Sequence, residues 1–187
     1  MKKYIRAAIH SVFDESEQVQ WDIAHNPTTR PDVLRELAKS DDDMVLVLLA
    51  CNPSTPKDVV ADILSNSPSS VRETLARSSY SPPEVLEELA NDCNIFVRQG
   101  VAFNKHVLER VLAKLAHDKE LTVVTRVAGN PSTSVDTLNE LSTHFDDMVR
   151  CEVAGNPSTP THTLKALLSD PDEYTRASAH RQMKKRR

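Results

Sequence analysis

Arg72, Arg98, Arg150 and Arg176 occupy one register, separated by 26 residues or a multiple of it. A ladder of guanidinium groups suits phosphate, because each presents a planar fork of donors and a contact to a sugar–phosphate backbone needs no base-specific geometry. Arg126 and the closing Lys184, Lys185, Arg186 and Arg187 add positive charge, so nucleic-acid binding is one reading of these residues. A second reading keeps the ladder inside the fold. Leu46 and Val124 fill the same place with apolar side chains, which fits a packed arginine stem whose head pairs with a loop acid such as Asp92, Asp118 or Asp170. The second reading is favoured, and the net charge of -4 also argues against a surface-wide attraction to nucleic acid.

Other chemistry finds fewer residues to carry it. His25 and Cys51 sit at equivalent positions of adjacent copies, about a helix-packing distance of 8–10 Å apart, too far for easy shared metal ligation. The remaining histidines are scattered. The three cysteines, Cys51, Cys93 and Cys151, form no C-x-x-C pair, and their odd number fits a reducing compartment. Three glycines in 187 residues leave little for a phosphate-cradling loop, and no Ser-His-Asp arrangement or paired buried carboxylates emerge. No metal, no cofactor and no enzymatic activity are expected.

The element that must position all these residues is a repeat. Valine recurs at 19, 45, 71, 97, 123 and 149, with Thr175 next in phase. Ala24, Ala50, Ala76, Ala102, Ala128 and Ala154 follow five residues later, and a second block runs Leu34, Val60, Leu86, Leu112, Leu138 and Leu164. Such phase-keeping over several columns marks a stacked-repeat architecture. Each copy reads as two short helices. The first is apolar at offsets 0, 4 and 5 from the valine, and the second at Val33, Leu34, Leu37, Ala38 and their equivalents. Thr29, Thr55, Ser81, Thr133 and Thr159 are placed to cap the second helix, with acids at capping-box spacing in Asp32, Asp58, Glu84 and Asp136. One pair cannot close a core, but stacked pairs can, so the fold class expected is an all-α solenoid of six to seven 26-residue repeats.

The stretches "VRCEVAGNPSTPTHTLKALLSDPDEYTR" and "AHNPTTRPDVLRELAKSDDD" resemble the leucine-rich repeat variant family, over about residues 16–181. The resemblance implies a right-handed superhelix, similar in kind to armadillo and HEAT arrays, in which one helix of each pair is 3₁₀. Some members hold an iron–sulfur centre in an N-terminal cysteine cluster, but this chain has no cysteine before Cys51. Two copies depart from the pattern: "ARSSYSPPEVL" lacks the Asn-Pro, and "AFNKHVLERVL" lacks both prolines and the capping threonine.

The Asn column, Asn26, Asn52, Asn104, Asn130 and Asn156, reads as structural, satisfying turn backbone groups that would otherwise be buried unpaired. The outer positions of the first helices are different. Offset -1 runs Gln18, Met44, Ser70, Phe96, Thr122, Met148 and Tyr174, uncharged throughout, and offset 2 begins Trp21, Val47. An outward line of Met, Phe and Tyr marks either a protein- or peptide-binding surface or a face covered by neighbouring elements such as an N-terminal helix with Ile5, Ile9 and Phe13. The first alternative makes Trp21, Met44, Val47, Leu48, Phe96, Met148 and Tyr174 the partner-binding candidates, with self-association a further use of the same face.

The expected organisation is a capping helix over 1–15, the repeat array over 16–181 and a basic tail over 182–187. The longest apolar run, Met44–Cys51, is eight residues, against the ~20 of a membrane helix. A cytoplasmic, non-catalytic interaction module with a protein or peptide partner is the function expected.

Overall fold

A computed structural model describes residues 17–186; the expected capping helix over 1–15 and the terminal Arg187 lie outside the described residues. Among the described residues the regular structure is helix alone, in pairs that keep the 26-residue phase. The first helices are α1 (Glu17–His25), α3 (Asp43–Cys51), α5 (Ser69–Arg77), α7 (Ile95–Phe103), α9 (Leu121–Gly129), α11 (Asp147–Gly155) and α13 (Glu173–Lys185). The second helices are α2 (Pro31–Leu37), α4 (Lys57–Asn66), α6 (Pro83–Leu89), α8 (Glu109–Leu115), α10 (Val135–Leu141) and α12 (Thr161–Leu167). The chain is an all-α helical-repeat protein. The segment set apart as a basic tail over 182–187 is helical through Lys185, with Gln182 buried.

The short length of each helix follows from how it is stopped. First helices end where Asn52, Asn104, Asn130 and Asn156 adopt extended backbone, with ψ of 122°, 126°, 124° and 129°. Three of these precede a proline, which keeps the residue before it out of the helical region. Asn104 precedes Lys105 and takes the same conformation without that help.

The capping roles differ from the sequence expectation. Side-chain caps stand before first helices: Asp42, Asn94, Asp146 and Asp172 accept backbone N–H groups of Met44, Phe96, Val149 and Thr175. The hydroxyls expected to cap second helices turn back instead. Thr29, Ser81, Thr133 and Thr159 donate to the carbonyls of Ile23, Leu75, Val127 and Val153 at 2.5–2.8 Å. They close the orphan carbonyls at the end of the first helix, six residues back, a position the forward capping-box rule does not consider. Among second helices, α10 has a side-chain cap, in which Ser134 accepts from the Thr137 N–H. The 3₁₀ element that the family resemblance allows is confined to helix ends: Lys39 and Ser40 donate three residues back, to Glu36 and Leu37, while the α2 body is α-helical.

By internal packing the chain forms two units, Met1–Glu88 and Leu89–Arg187. In the first, α1 packs on α3 and α3 on α5; in the second, α7, α9, α11 and α13 stack in order. Each layer of first helices is joined through its small Val and Ala columns. Val45, Ala76, Val97, Ala102, Val123, Ala128, Val149 and Ala154 are all at most 1% exposed. Each buried leucine or valine is worth about 1.5–3 kcal/mol relative to exposure. Val19 and Ile23 of α1, in the same columns, are only half-buried.

Candidate functional site

The arginine ladder is used inside the protein. Arg98 Nε and Nη2 donate to the two carboxylate oxygens of Asp118 at 2.7 and 3.0 Å, while Nη1 donates to the carbonyls of Asp92 and Cys93. Arg150 repeats this with Asp170 and the carbonyls of His144 and Phe145. Arg176 Nη1 donates to the Asp170 and Pro171 carbonyls, and Arg72 Nη1 to that of Ser67. One guanidinium thus ties the loop before its helix to the loop one repeat later. In Arg98 and Arg150 these bonds occupy Nε, Nη1 and Nη2 together, whereas Arg176 commits Nη1. Arg126 is different: it is exposed, with its guanidinium 5.9 Å from the centre of the Phe103 ring.

The two carboxylates respond as the geometry requires. Burial pushes the Asp118 carboxyl up, but hydrogen bonds from Arg98 and the Glu120 N–H outweigh it and hold the group below the ordinary carboxylate range. For Asp170 the Arg150 fork is the largest influence and lowers it in the same direction, against burial. The carboxylate partners of Arg98 and Arg150 lie 20 residues on, and the two positions change type together in other copies. Leu46 goes with Asn66, Val124 with His144, and Gln20 with Ser40, whose hydroxyl donates to the Gln20 Oε1 at 3.3 Å. Asp118 and Asp170 are two of the three loop acids expected from the sequence to pair with the ladder.

The Asn column staples repeats. Asn52 Nδ2 donates to the carbonyls of Ala24 and Asn26, Asn130 to those of Ala102 and Asn104, and Asn156 to those of Ala128 and Asn130. Gln182, one period beyond Asn156, keeps one of these bonds, to the Asn156 carbonyl at 3.2 Å.

With these columns assigned to the fold, two grooves among the described residues draw on the outer positions of the first helices, one in each unit. The first unit has a groove of about 770 Å³ lined by Met44, Val47, Leu48, Cys51, Arg77 and Tyr80, with His25 at one side. The second has one of about 650 Å³ lined by Phe103, Leu121, Thr125, Arg126, Met148 and Glu152 among others. Both draw on the same columns, offsets -1, 2, 3 and 6 from the repeat valine. Offset 6, which includes Cys51, Arg77 and Phe103, had not been read as part of the face. These residues form the last turn of the first helix, and a 3.6-residue period carries offsets -1, 2, 3 and 6 along one side.

The structure therefore brings Met44, Val47 and Leu48 together and places Met148 in the other groove. Phe96 and Tyr174 are exposed but line neither. Val47 is only 7% exposed and belongs to the floor and the core at once, against 42% for Met44. Trp21 is half-buried and lines neither groove; its Nε1 donates to the Asp42 carboxylate at 2.7 Å. Burial pushes the Cys51 thiol up, away from the thiolate that a nucleophile or a metal ligand needs. Among the described residues no group of three His, Cys, Asp or Glu side chains is placed to hold a metal ion.

Residues 149–172 match the family described as leucine rich repeat variant. The repeat over these residues is of the leucine-rich repeat variant type. A solved structure described as a leucine-rich repeat variant with a novel repetitive protein structural motif is 23% identical, with a TM-score of 0.60. The alignment covers 90% of this chain and 66% of that one, and at this identity it shows the fold alone. Two engineered proteins, 17% and 19% identical and matched over 95% of this chain, align over 94% and 96% of their own lengths. Their TM-scores of 0.27 and 0.26 carry no argument. No curated protein matches the chain. Among the described residues no helix is long and apolar enough to cross a membrane.

Proposed function

We propose that this leucine-rich-repeat-variant chain is a non-catalytic interaction module and that the groove of its first unit takes an apolar segment of a partner protein. The observation that carries this reading is the composition of that groove: Met44, Val47, Leu48 and Cys51 in one place, with Tyr80 standing 81% exposed at the rim. This apolar floor, flanked by Thr74, Ser78 and Arg77, offers shape and burial to an apolar segment. Arg77 at the edge is paired with Glu73 at 3.1 Å, so the groove offers a partner burial before charge. The perturbed acids elsewhere belong to the Arg98–Asp118, Arg150–Asp170 and Arg35–Asp58 pairs, which tie neighbouring repeats.

The test selects displayed random peptides on the wild-type protein and measures each on the Met44→Glu/Leu48→Glu double variant. Val47 stays unchanged because it is part of the core. Selected peptides are expected to share apolar residues and to bind the variant at least about tenfold more weakly, a loss of about 1.4 kcal/mol, while the melting temperature stays within a few degrees. Peptides that bind both forms equally would remove the groove from the reading.

A further inference from the structure

We propose that α13 carries a second, separate binding site, for single-stranded nucleic acid. With thirteen residues against nine in α11, it is the longest helix in the chain's described part. It buries Thr175, Ala179 and Gln182, and turns Tyr174, His180, Arg181, Lys184 and Lys185 to solvent. From Tyr174 to Arg187 the chain has six cations and no acidic residue.

These cations differ from the ladder in one physical respect. The guanidinium groups of Arg98, Arg150 and Arg176 are neutralised or hydrogen-bonded inside the fold, whereas the side chains of Arg181, Lys184 and Lys185 make no hydrogen bond or ion pair among the described residues. Lysines in a last helical turn also complement the negative end of the helix, which accounts for Lys184 and Lys185. It does not account for Arg181, nor for Tyr174, which is 70% exposed. Tyr174, Arg181 and Lys185 follow the spacing i, i+7, i+11, which puts an aromatic face and two cations in one row along the helix.

An aromatic platform beside a line of cations is how proteins hold single strands: a base stacks on the ring while its backbone phosphates meet the charges. A duplex offers no unstacked base to Tyr174. Asp172, which accepts from the Thr175 N–H, and Glu173 place negative charge at the helix start, so phosphates are held toward the last two turns. The mode is independent of the groove in the first unit and of the arginine ladder.

The experiment is fluorescence anisotropy of the full chain with a labelled oligo(U) of about 12 nucleotides, within the ~4–16-nucleotide span of single-strand sites. A duplex of equal length and poly-glutamate are the comparison ligands. Oligo(U) is expected to bind, with a salt slope that the Arg181→Ala/Lys184→Ala/Lys185→Ala variant reduces by about 2, as loss of three phosphate contacts requires. That variant is also expected to weaken binding at least about tenfold at low salt, while Lys184→Arg/Lys185→Arg binds like wild type. Tyr174→Ala should weaken oligo(U) binding about tenfold, as the loss of one stacked base does, and leave any duplex binding unchanged. The proposal is overturned if oligo(U) does not bind at ~50 mM salt, or if the triple variant binds like wild type. Duplex binding as tight as oligo(U), no effect of Tyr174→Ala, or displacement by equimolar poly-glutamate would each overturn it as well. Circular dichroism melts confirm that the variants are folded.

Discussion

The two units draw on the same columns and use them differently. In the first, the pair around α3 has Leu46 and Asn66 where the second unit has Arg98 with Asp118 and Arg150 with Asp170. Among the described residues the buried Thr55 hydroxyl has no hydrogen-bond partner, while Thr133 and Thr159 in the same column are bonded. The first groove gathers Met44, Val47, Leu48 and Cys51 with Arg77 at its edge, while the second sets Arg126 and Glu152 among Phe103, Leu121 and Met148. The repeat therefore holds its backbone with offsets 0, 4, 5 and 7 and leaves offsets -1, 2, 3 and 6 open to vary. Whatever a repeat of this type recognises is written in the second set.

The largest test of that contrast is Asp118→Ala against Asn66→Ala, the same column in the two units. Asp118→Ala leaves a guanidinium buried without its carboxylate, at a cost of about 3–5 kcal/mol in urea unfolding. Asn66, exposed and bonded only to Asp62 four residues back, should cost under about 0.5 kcal/mol. Equal effects would break the distinction. The same clamps set the acid response. The folded pKa values of Asp118 and Asp170 are lowered, so the stability they contribute is present above the unfolded value of ~3.9 and is lost as pH falls through the folded values. Thermal melts between neutral and strongly acidic pH should show this loss, and Asp118→Asn/Asp170→Asn should flatten it.

A smaller effect comes from the staples. Asn130→Ala strips two carbonyls of their donor in a buried site and should cost about 2–3 kcal/mol. Asn26→Ala should cost about 1 kcal/mol or less, since Asn26 is exposed and its Oδ1 serves only Thr28. The smallest difference is in the hydroxyl column. Thr133→Val loses the bond to the Val127 carbonyl, about 1 kcal/mol, whereas Thr55→Val removes an unpaired group and should be neutral or slightly stabilising. A Thr55→Val loss as large as that of Thr133→Val would show that the hydroxyl is bonded in solution.

The pair of helices, the buried Val, Ala and Leu columns and the structural role of the Asn column were legible because each is a period in the chain, and burial follows period. The expectation that ladder arginines pack their stems and pair with loop acids was legible too, from Leu46 and Val124 in the same column. The direction of the Thr29, Thr133 and Thr159 hydroxyls was not. A threonine beside a helix start serves the helix ahead or the helix behind with the same local sequence, and only the turn geometry decides. The groove was half legible: offset -1 announced itself by lacking charge, while offset 6, with His25, Cys51, Arg77 and Phe103, has no common residue type to detect. The depth of Val47 was not legible, because its column holds polar residues in later copies, such as Gln99 and Thr125.

Every Asn staple points one way. Asn52, Asn130, Asn156 and, in its place, Gln182 each reach toward residues 26 or 28 positions earlier in the chain. The acceptors therefore leave the ribosome before the donors that need them, and each newly made repeat meets a docking edge already formed. Such a stack can be built vectorially during synthesis, one turn of the ratchet at a time, without waiting for its far end.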